Sequence, residues 1–231
     1  MPKNLALIPA RCGSKRLPGK NTKLFLGAPL ISWTIELARS STLIDEVLVS
    51  SDCIEVLEIA KRIGGVELHQ RSPHASRDNA LMQEVISEAL ESFGSERVTT
   101  FDYLTILQPT SPLRNLEDLE NSFNMLLKDT MADCVISYTE RPPNLGESKE
   151  ISISDEGYVS FNQMSMTSDS GEPVYIRNGP AICISKLPEA WHRLLHGKVL
   201  GYEMPFIRSV DIDTHTDFLM AEAIAQSMTK N

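Results

Sequence analysis

Apolar runs of strand length alternate along the chain with segments of helical period. The apolar runs predict strands near residues 4–9, 46–51, 65–69, 102–108, 133–138, 181–185 and 207–212. The periodic segments predict helices near residues 29–39, 53–63, 79–93, 115–128 and 214–228. The third helix is the clearest, because apolar residues recur every four positions from Leu81 to Phe93. Strands separated by helices favour an α/β fold with a mostly parallel sheet, helices on both faces and ligands at the carboxyl ends of the strands.

Residues 140–176 interrupt this alternation. They contain ERPPN, a short alternating ISIS segment and a polar MTSDSGEP stretch, none of which has a helical period. We interpret the region as a small insertion of short strands and loops within a single domain that spans residues 1–231. The sequence alone leaves open whether the insertion has a role or is a surface loop of no special function.

The bulk composition agrees with one enzyme domain. The chain has 231 residues, of which 42% are hydrophobic and 23% charged, and we expect neither a signal peptide nor a membrane-spanning segment. The four cysteines are far apart and form no CxxC pair, which predicts reduced thiols and a cytoplasmic protein; they are Cys12, Cys53, Cys134 and Cys183. We expect the basic neighbours of Cys12 to lower its pKa.

The basic residues are unevenly distributed. The chain has a net charge of −9, yet six basic residues precede its first acidic residue, Glu36. Most of them lie in the loop after the first predicted strand: Arg11, Lys15, Arg16, Lys20 and Lys23. A strand that leads into a loop rich in Gly, Ser and cations is a common phosphate site, although a solvated basic surface is the alternative. Because GxxxxGK[ST] and GxGxxG are both absent, P-loop NTPases and Rossmann dehydrogenases are disfavoured. The acidic remainder of the chain argues against nucleic-acid binding.

Two carboxylates, Asp211 and Asp213, form a second candidate site in SVDIDT. If this segment is a strand, residues i and i+2 point to the same face, and the two like charges then favour a divalent cation such as Mg²⁺ between them. A surface DxD without function is the alternative. Thr214 and Asp217 have the spacing of a capping box, which would fix the turn into the last helix.

A third candidate site is the turn LQPTSPLR at residues 107–114, which follows an apolar strand. Its prolines hold the chain away from helix until Asn115, a good N-cap with Asp118 three residues later. The polar groups of Gln108, Thr110 and Ser111 suit a polyhydroxylated sugar better than a phosphate. Alternatively, the hydroxyl groups only cap their own backbone.

These segments resemble the acylneuraminate (CMP-nonulosonic acid) cytidylyltransferases over essentially the full chain. The signature IPARCGSKRLPGKN at residues 8–21 is followed in the same order by VLVSSD at 47–52, LQPTSPLR at 107–114, NGPAICIS at 178–185 and SVDIDTHTD at 209–217. The resemblance implies a Rossmann-like nucleotidyltransferase sheet and a homodimer in which the insertion 140–176 meets its counterpart and helps to close the sugar site. It also implies CTP and a 2-keto sugar acid as substrates, with Mg²⁺ as the cofactor.

The resemblance assigns roles to individual residues. The implied nucleotide-binding set is Arg11, Gly13, Ser14, Lys15, Lys20, Asn21 and Arg71, with Arg71 at the cytosine. The implied sugar-binding set is Gln108, Thr110, Ser111, Arg177 and Asn178, and the implied magnesium ligands are Asp211 and Asp213. The implied catalytic set is Arg11, Lys20, Asp211 and Asp213. We expect Asp78 or Asn79 only to cap the next helix, and no His or Glu stands out as a general base.

The implied reaction is attack of the anomeric hydroxyl on the α-phosphate of CTP, with loss of pyrophosphate. A KDO-type cytidylyltransferase is the nearest alternative, but that family carries an acidic QGDEP-like turn where this chain has Gln108. A sugar-1-phosphate nucleotidyltransferase would usually show a GxGxRL loop, which is absent. A non-catalytic nucleotide-binding protein is the alternative from another class. The Arg-Gln pair that many sialate enzymes carry before the asparagine motif is replaced by DSGEPVYI, so the particular nonulosonic acid stays open.

Overall fold

The computed structural model describes residues 2–142, 151–153, 159–161, 174–179 and 181–228. The strands are β1 Asn4–Pro9, β2 Leu24–Phe25, β3 Ala28–Pro29, β4 Glu46–Ser51, β5 Glu67–Gln70, β6 Tyr103–Ile106, β7 Cys134–Glu140, β8 Ile151–Ile153, β9 Val159–Phe161, β10 Tyr175–Arg177, β11 Cys183–Lys186 and β12 Val199–Glu203. The helices are α1 Leu30–Ser40, α2 Ile54–Ile63, α3 Met82–Phe93, α4 Ser95–Val98, α5 Leu116–Lys128 and α6 His215–Met228. Short 3₁₀ turns cover Lys20–Thr22, Glu189–Trp191 and Phe206–Arg208.

The central sheet of the described chain has eight strands and is mostly parallel, as predicted. Strands β5, β4, β1 and β6 are parallel neighbours in that order. Strand β11 continues the sheet antiparallel to both β6 and β7, and β12 pairs parallel with β7. The carboxyl ends of β1, β4 and β6 therefore meet at one edge of the sheet, which is where α/β folds bind ligands.

Strand β1 shows why the sheet is covered on both faces. Its side chains alternate between two apolar layers, with Ala6 and Ile8 in one and Leu5 and Leu7 in the other. Helices α1, α2 and α5 cover the first layer, and α3 covers the second. All four side chains are fully buried, which explains the continuous apolar run in the sequence.

A third apolar cluster joins the two ends of the chain. It contains Leu17 from the basic loop, Phe25 from β2, Ile212, and Phe218 from α6. The rings of Phe25 and Phe218 meet edge to face with centroids 5.7 Å apart. This cluster packs the loop after β1 against the segment that carries the two candidate metal ligands.

The turn after β6 is held by a buried arginine. Arg114 Nη1 donates to the carbonyl oxygens of Gln108 and Ala181, each at 2.8 Å, and Nη2 donates to Thr34 Oγ1 at 2.6 Å. Burial lowers the pKa of Arg114 to about 9. The guanidinium therefore joins the polar turn to α1 and to the segment just before β11. The predicted N-cap of α5 is also confirmed, because Asn115 and Asp118 each accept a bond from the other's backbone N–H.

Several predicted elements are wrong. The segment predicted as a strand near 207–212 begins with the 3₁₀ turn Phe206–Arg208 and is irregular through residue 213, because Pro205 and the Ser209 hydroxyl fold it back on itself. The strand in this region is β12, which was missed because VLGYE contains a glycine and has few buried side chains. Helix α3 begins at Met82, three residues later than predicted.

The predicted insertion lies largely outside the described residues. Its described parts include short strands, as predicted: β8 pairs antiparallel with β9, and β10 pairs antiparallel with the end of β7. Within the part of the chain that the structure describes, no helix is long and apolar enough to cross a membrane.

Arg114→Met should lower the free energy of unfolding by about 3 kcal/mol, because three buried acceptors lose their donor. Arg39→Met is the matched control, since Arg39 is partly exposed and pairs with Glu36; it should change stability by less than ~0.5 kcal/mol. Urea unfolding of both variants measures the difference. Equal stabilities of the two variants would show that Arg114 does not hold the turn.

Candidate functional site

A pocket of about 360 Å³ lies at the carboxyl edge of the sheet, where β1, β4 and β6 end. Ten of the predicted site residues line it: Arg11, Ser14, Lys15, Lys20, Asn21, Arg71, Gln108, Thr110, Asp211 and Asp213. The other lining residues are Pro9, Arg16, Asp78, Met82 and Pro109. The structure thus brings together four segments of the sequence, residues 9–21, 71–82, 108–110 and 211–213.

The basic loop is positioned by two contacts with its surroundings. Asn21 is buried, and its Nδ2 donates to the carbonyl oxygen of Arg11 at 2.9 Å. The backbone N–H of Cys12 donates to Asp52 Oδ1 at 2.7 Å. Asn21 therefore supports the loop as well as lining the pocket. Gly13 lies outside the pocket lining, and a side chain at this position would meet open space.

Lys20 connects the basic loop to the carboxylate segment. It is only 9% exposed, and its Nζ donates to the carbonyl oxygen of Ile212 at 2.5 Å and to Asp213 Oδ1 at 3.2 Å. Arg16 Nη1 contacts the other oxygen of Asp213, also at 3.2 Å. Asp213 thus accepts from two cations.

Asp211 has different surroundings from Asp213. Burial raises its pKa, and the contacts with Thr110 and Lys20 oppose that shift only in part. Its Oδ1 is buried and has no hydrogen-bond partner among the described residues. The prediction that a strand places both carboxylates on one face is wrong, because residues 211–213 are irregular. They line the same pocket because Ile212 N donates to Thr110 O at 2.8 Å, which holds this segment against the turn after β6.

The carboxylates fit a hard divalent cation. Oδ1 of Asp211 is a buried acceptor without a donor. Such an atom is energetically unfavourable unless a cation or a water molecule binds it. Among the described residues no group of three His, Cys, Asp or Glu side chains is placed to hold a metal ion. The described residues would therefore supply at most two carboxylates, the number typical of magnesium sites that are completed by phosphate oxygens and waters.

Asp78 is a pocket residue that the sequence analysis missed. It was expected to cap a helix, but α3 begins at Met82, and Asp78 instead accepts from Arg11 Nη1 at 2.8 Å and pairs with Lys15. The hydrogen bond from Lys15 is the main cause of its lowered pKa. No signal in the sequence distinguishes this aspartate from a helix cap. Arg16 also lines the pocket. It belongs to the basic loop but is not among the predicted site residues.

Two of the five predicted sugar-binding residues line the pocket. Gln108 and Thr110 line the pocket, whereas Ser111 is buried behind them with no partner for its hydroxyl among the described residues. Gly179 has φ +116°, and a side chain there would lie 3.2 Å from Ser111 Oγ and 3.4 Å from Asp211 Cγ. Glycine is therefore required where this loop passes the carboxylate.

The last two predicted sugar residues lie outside the pocket lining. Arg177 is exposed on β10. Asn178 is buried, accepts from Ser137 Oγ at 2.7 Å and donates to Ser209 Oγ at 3.0 Å. The Asn178 amide therefore joins β7 to the segment after β12. Contacts of Arg177 and Asn178 with a sugar stay predictions.

Arg71 also lines the pocket and is 8% exposed. Its Nε donates to Ser50 Oγ at 2.9 Å, and its Nη2 donates to Ser50 O at 3.1 Å. Burial lowers its pKa to about 10, so the guanidinium stays charged at neutral pH. It presents a fixed donor to the pocket.

The expectation for Cys12 is wrong. A hydrogen bond with Cys53 is the main cause that raises the pKa of Cys12 to about 11, and burial and the nearby Asp52 act in the same direction. The two thiols are far apart in sequence but meet where the loop lies against the β4–α2 connection. All four cysteines are free.

Asp211→Asn should raise the melting temperature of the metal-free protein by about 2–4 °C at neutral pH, equivalent to ~1 kcal/mol in a chain of this size. A raised carboxyl pKa means that the ionised form is disfavoured in the folded state. The stability cost is therefore present above the folded pKa and disappears as the pH falls through it towards the unfolded value. The amide removes that cost. Thermal unfolding in chelator measures the change.

Asp213→Asn is the matched control, because its side chain is paired with Lys20 and Arg16. It should not raise the melting temperature. A lower melting temperature for Asp211→Asn than for the unmodified protein would contradict the description of Asp211 as a poorly solvated buried carboxylate.

Comparison with known proteins agrees with this geometry. Residues 5–230 match the model of a family described as Cytidylyltransferase. The pseudaminic acid cytidylyltransferase of Campylobacter jejuni is 34% identical over 171 residues, which are 71% of this chain and 73% of that protein. The CMP-N,N'-diacetyllegionaminic acid synthase of Legionella pneumophila is 31% identical over 232 residues, or 96% of each chain.

Two solved structures share the fold. A CMP-2-keto-3-deoxy-manno-octonic acid synthetase in complex with CTP superposes with a TM-score of 0.69 at 16% identity, over 98% of this chain and 99% of that one. The 4-diphosphocytidyl-2C-methyl-D-erythritol synthase of Anaerococcus prevotii has a TM-score of 0.60 at 16% identity, over 97% and 96% of the two chains. At these identities the likeness shows the fold alone.

Proposed function

The chain belongs to the cytidylyltransferase family, and from this premise we propose that it transfers CMP from CTP to the anomeric hydroxyl of a nonulosonic acid. Pyrophosphate is the second product. The relatives of similar length, named for pseudaminic and legionaminic acids, support a substrate of this class. The observation that carries the proposal is a pocket lined both by the cations of the basic loop and by Asp211 and Asp213.

The cations suit a triphosphate. Arg11, Lys15 and Lys20 face the pocket from one loop, and the Ser14 side chain adds a hydroxyl donor. Asp78 pairs with both Arg11 and Lys15. Both are surface pairs, which contribute little free energy, so a triphosphate with several negative charges can displace the carboxylate.

Magnesium is the cofactor that the carboxylates favour. Asp211 and Asp213 would hold it. When bound, the ion would neutralise charge on the α-phosphate and polarise it towards attack. Asp211 has a buried oxygen without a partner, whereas Asp213 pairs with Lys20. Asp211 would therefore offer that oxygen to the ion, and Asp213 would stay in contact with Lys20.

The reaction requires alignment more than covalent participation of the protein. The anomeric oxygen attacks the α-phosphorus and its hydroxyl proton passes to solvent. The bond between that phosphorus and the oxygen that bridges to the β-phosphate breaks, and its electron pair leaves with pyrophosphate. Arg11 and Lys20 offset the negative charge that develops on the leaving group. Gln108 and Thr110 face the same space and would orient the hydroxyl groups of the sugar acid. Among the described residues that line the pocket there is no His or Glu, so a general base is not assigned.

Pyrophosphate release tests the proposal. Purified protein, CTP and magnesium are incubated with pseudaminic, legionaminic and sialic acids and with KDO, each with and without chelator. We expect release with one or more nonulosonic acids, little with KDO, and none in chelator. Release only with KDO would refute the substrate assignment based on the turn at Gln108, and unchanged release in chelator would refute the magnesium assignment. Absence of release with every sugar acid would favour the non-catalytic alternative.

We also propose that the protein works as a homodimer. Apolar side chains are exposed on both sides of the end of β7: Tyr175 and Ile176 on β10, and Phe206 and Ile207 in the turn after β12. A second copy of the chain would cover such a surface. Sedimentation should give twice the monomer mass of 25.7 kDa, and a monomer at enzyme working concentration would refute the assignment. The cytoplasmic location stays a prediction from the cysteine pattern.

A further inference from the structure

Arg71 is anchored by a chain of hydrogen bonds that runs away from the pocket. Ser50 on β4 and His69 on β5 are register partners in adjacent parallel strands, and both are buried. Ser50 Oγ lies 2.9 Å from Arg71 Nε and 3.0 Å from His69 Nδ1. On its other side, His69 Nε2 lies 3.3 Å from Glu88 Oε1 on α3.

The direction of each bond follows from the two ends of the chain. Arg71 can only donate, so Ser50 Oγ accepts from it and directs its own hydroxyl proton to His69 Nδ1. A histidine that accepts at Nδ1 carries its proton on Nε2, which then donates to Glu88. An ionised Glu88 can only accept, and it also receives Ser72 N at 2.7 Å and Ser72 Oγ at 2.5 Å. Every donor in the chain from Arg71 through Ser50 and His69 to Glu88 therefore faces an acceptor.

Burial favours the neutral form of His69. Burial is the main cause that lowers its pKa, Arg71 acts in the same direction, and Glu88 opposes both. Protonated His69 would be a second cation beside Arg71. Both of its ring nitrogens would then donate, and Nδ1 could no longer accept from the Ser50 hydroxyl. The neutral tautomer is therefore the form that keeps the Ser50 hydroxyl available to Arg71.

We propose that Ser50, His69 and Glu88 form a relay that fixes the orientation of the Arg71 guanidinium and thereby sets the preference of the pocket for cytosine over uracil. Cytosine offers two acceptors, its O2 and N3, to a guanidinium, whereas uracil carries a proton on N3. A guanidinium fixed in orientation rejects that proton, but one free to pivot can make a single bond to either base. The three residues are positioning residues, since none of them lines the pocket.

This inference rests on the proposed use of CTP, and it predicts a specific pattern. Ser50→Ala removes the acceptor for Nε but keeps the backbone oxygen that binds Nη2. We expect KM for CTP to rise about tenfold and kcat to change less than about threefold. The ratio of kcat/KM for CTP to kcat/KM for UTP should fall at least about fivefold. Direct titration of CTP and UTP should show the same loss of selectivity, so the readout does not depend on turnover.

Two histidine variants separate the relay from general packing. In His69→Asn the amide oxygen lies close to the position of Nδ1 and can accept from the Ser50 hydroxyl in its place. The CTP-over-UTP selectivity should therefore stay within about twofold of that of the unmodified protein. In His69→Gln the polar atoms reach towards Glu88 instead, and selectivity should fall as in Ser50→Ala. Ser185→Ala is the matched control, because Ser185 is also a fully buried strand serine but contacts Cys134 on β7. Its selectivity should not change.

An unchanged CTP-over-UTP ratio in Ser50→Ala, or equal ratios in His69→Asn and His69→Gln, would overturn the relay. A uniform loss of kcat with both nucleotides would also overturn it, because it would indicate a purely structural role. Pyrophosphate release from CTP by the unmodified protein tests the proposed function, and Arg71→Ala separates failure of the relay from failure of the cytosine contact. If Arg71→Ala keeps the selectivity, the cytosine contact itself is wrong; if it loses the selectivity while Ser50→Ala keeps it, only the relay is wrong.

Discussion

The buried ammonium of Lys20 is the interaction on which the site depends. It joins the first loop of the chain to residues 212 and 213 near the other end, through the carbonyl oxygen of Ile212 and the carboxylate of Asp213. The surrounding cluster of Leu17, Phe25 and Phe218 excludes water from the same junction. Because an ammonium has three donors, two can hold this junction while the third is directed to a phosphate oxygen. One side chain can thus assemble the pocket and take part in binding.

The charged side chains of the pocket pair with one another. Arg11 and Lys15 contact Asp78, while Arg16 and Lys20 contact Asp213. Opposite charges stabilise the loop before substrate arrives, and the exposed pairs can exchange partners at small cost. Asp211 is the exception, because it is poorly solvated and has an oxygen without a partner. It is therefore the carboxylate that gains most from an incoming cation.

The sequence analysis predicted the sheet and the basic loop well, because buried parallel strands are continuous apolar runs and because cations in an acidic chain are conspicuous. It failed where tertiary contacts decide the local structure. The residues around Asp211 were expected to form a strand, yet Pro205 and Ser209 turn the chain there. Asp78 resembles a helix cap, and only the folded chain brings it to Arg11. The relay behind Arg71 is equally invisible, since Ser50, His69 and Glu88 meet only through strand register and the packing of α3.

If Lys20 orders a triphosphate site, CTP binding must depend on its ammonium group, and calorimetric titration of CTP into Lys20→Met with magnesium measures that dependence. We expect CTP affinity to fall at least about a hundredfold, more than ~2.7 kcal/mol, in protein that circular dichroism shows to be folded. Lys23→Met is the control, because Lys23 lies in the same loop but over the ring of Phe218, 5.6 Å from its centroid, and its affinity should stay within about threefold. Wild-type affinity in folded Lys20→Met would contradict the account.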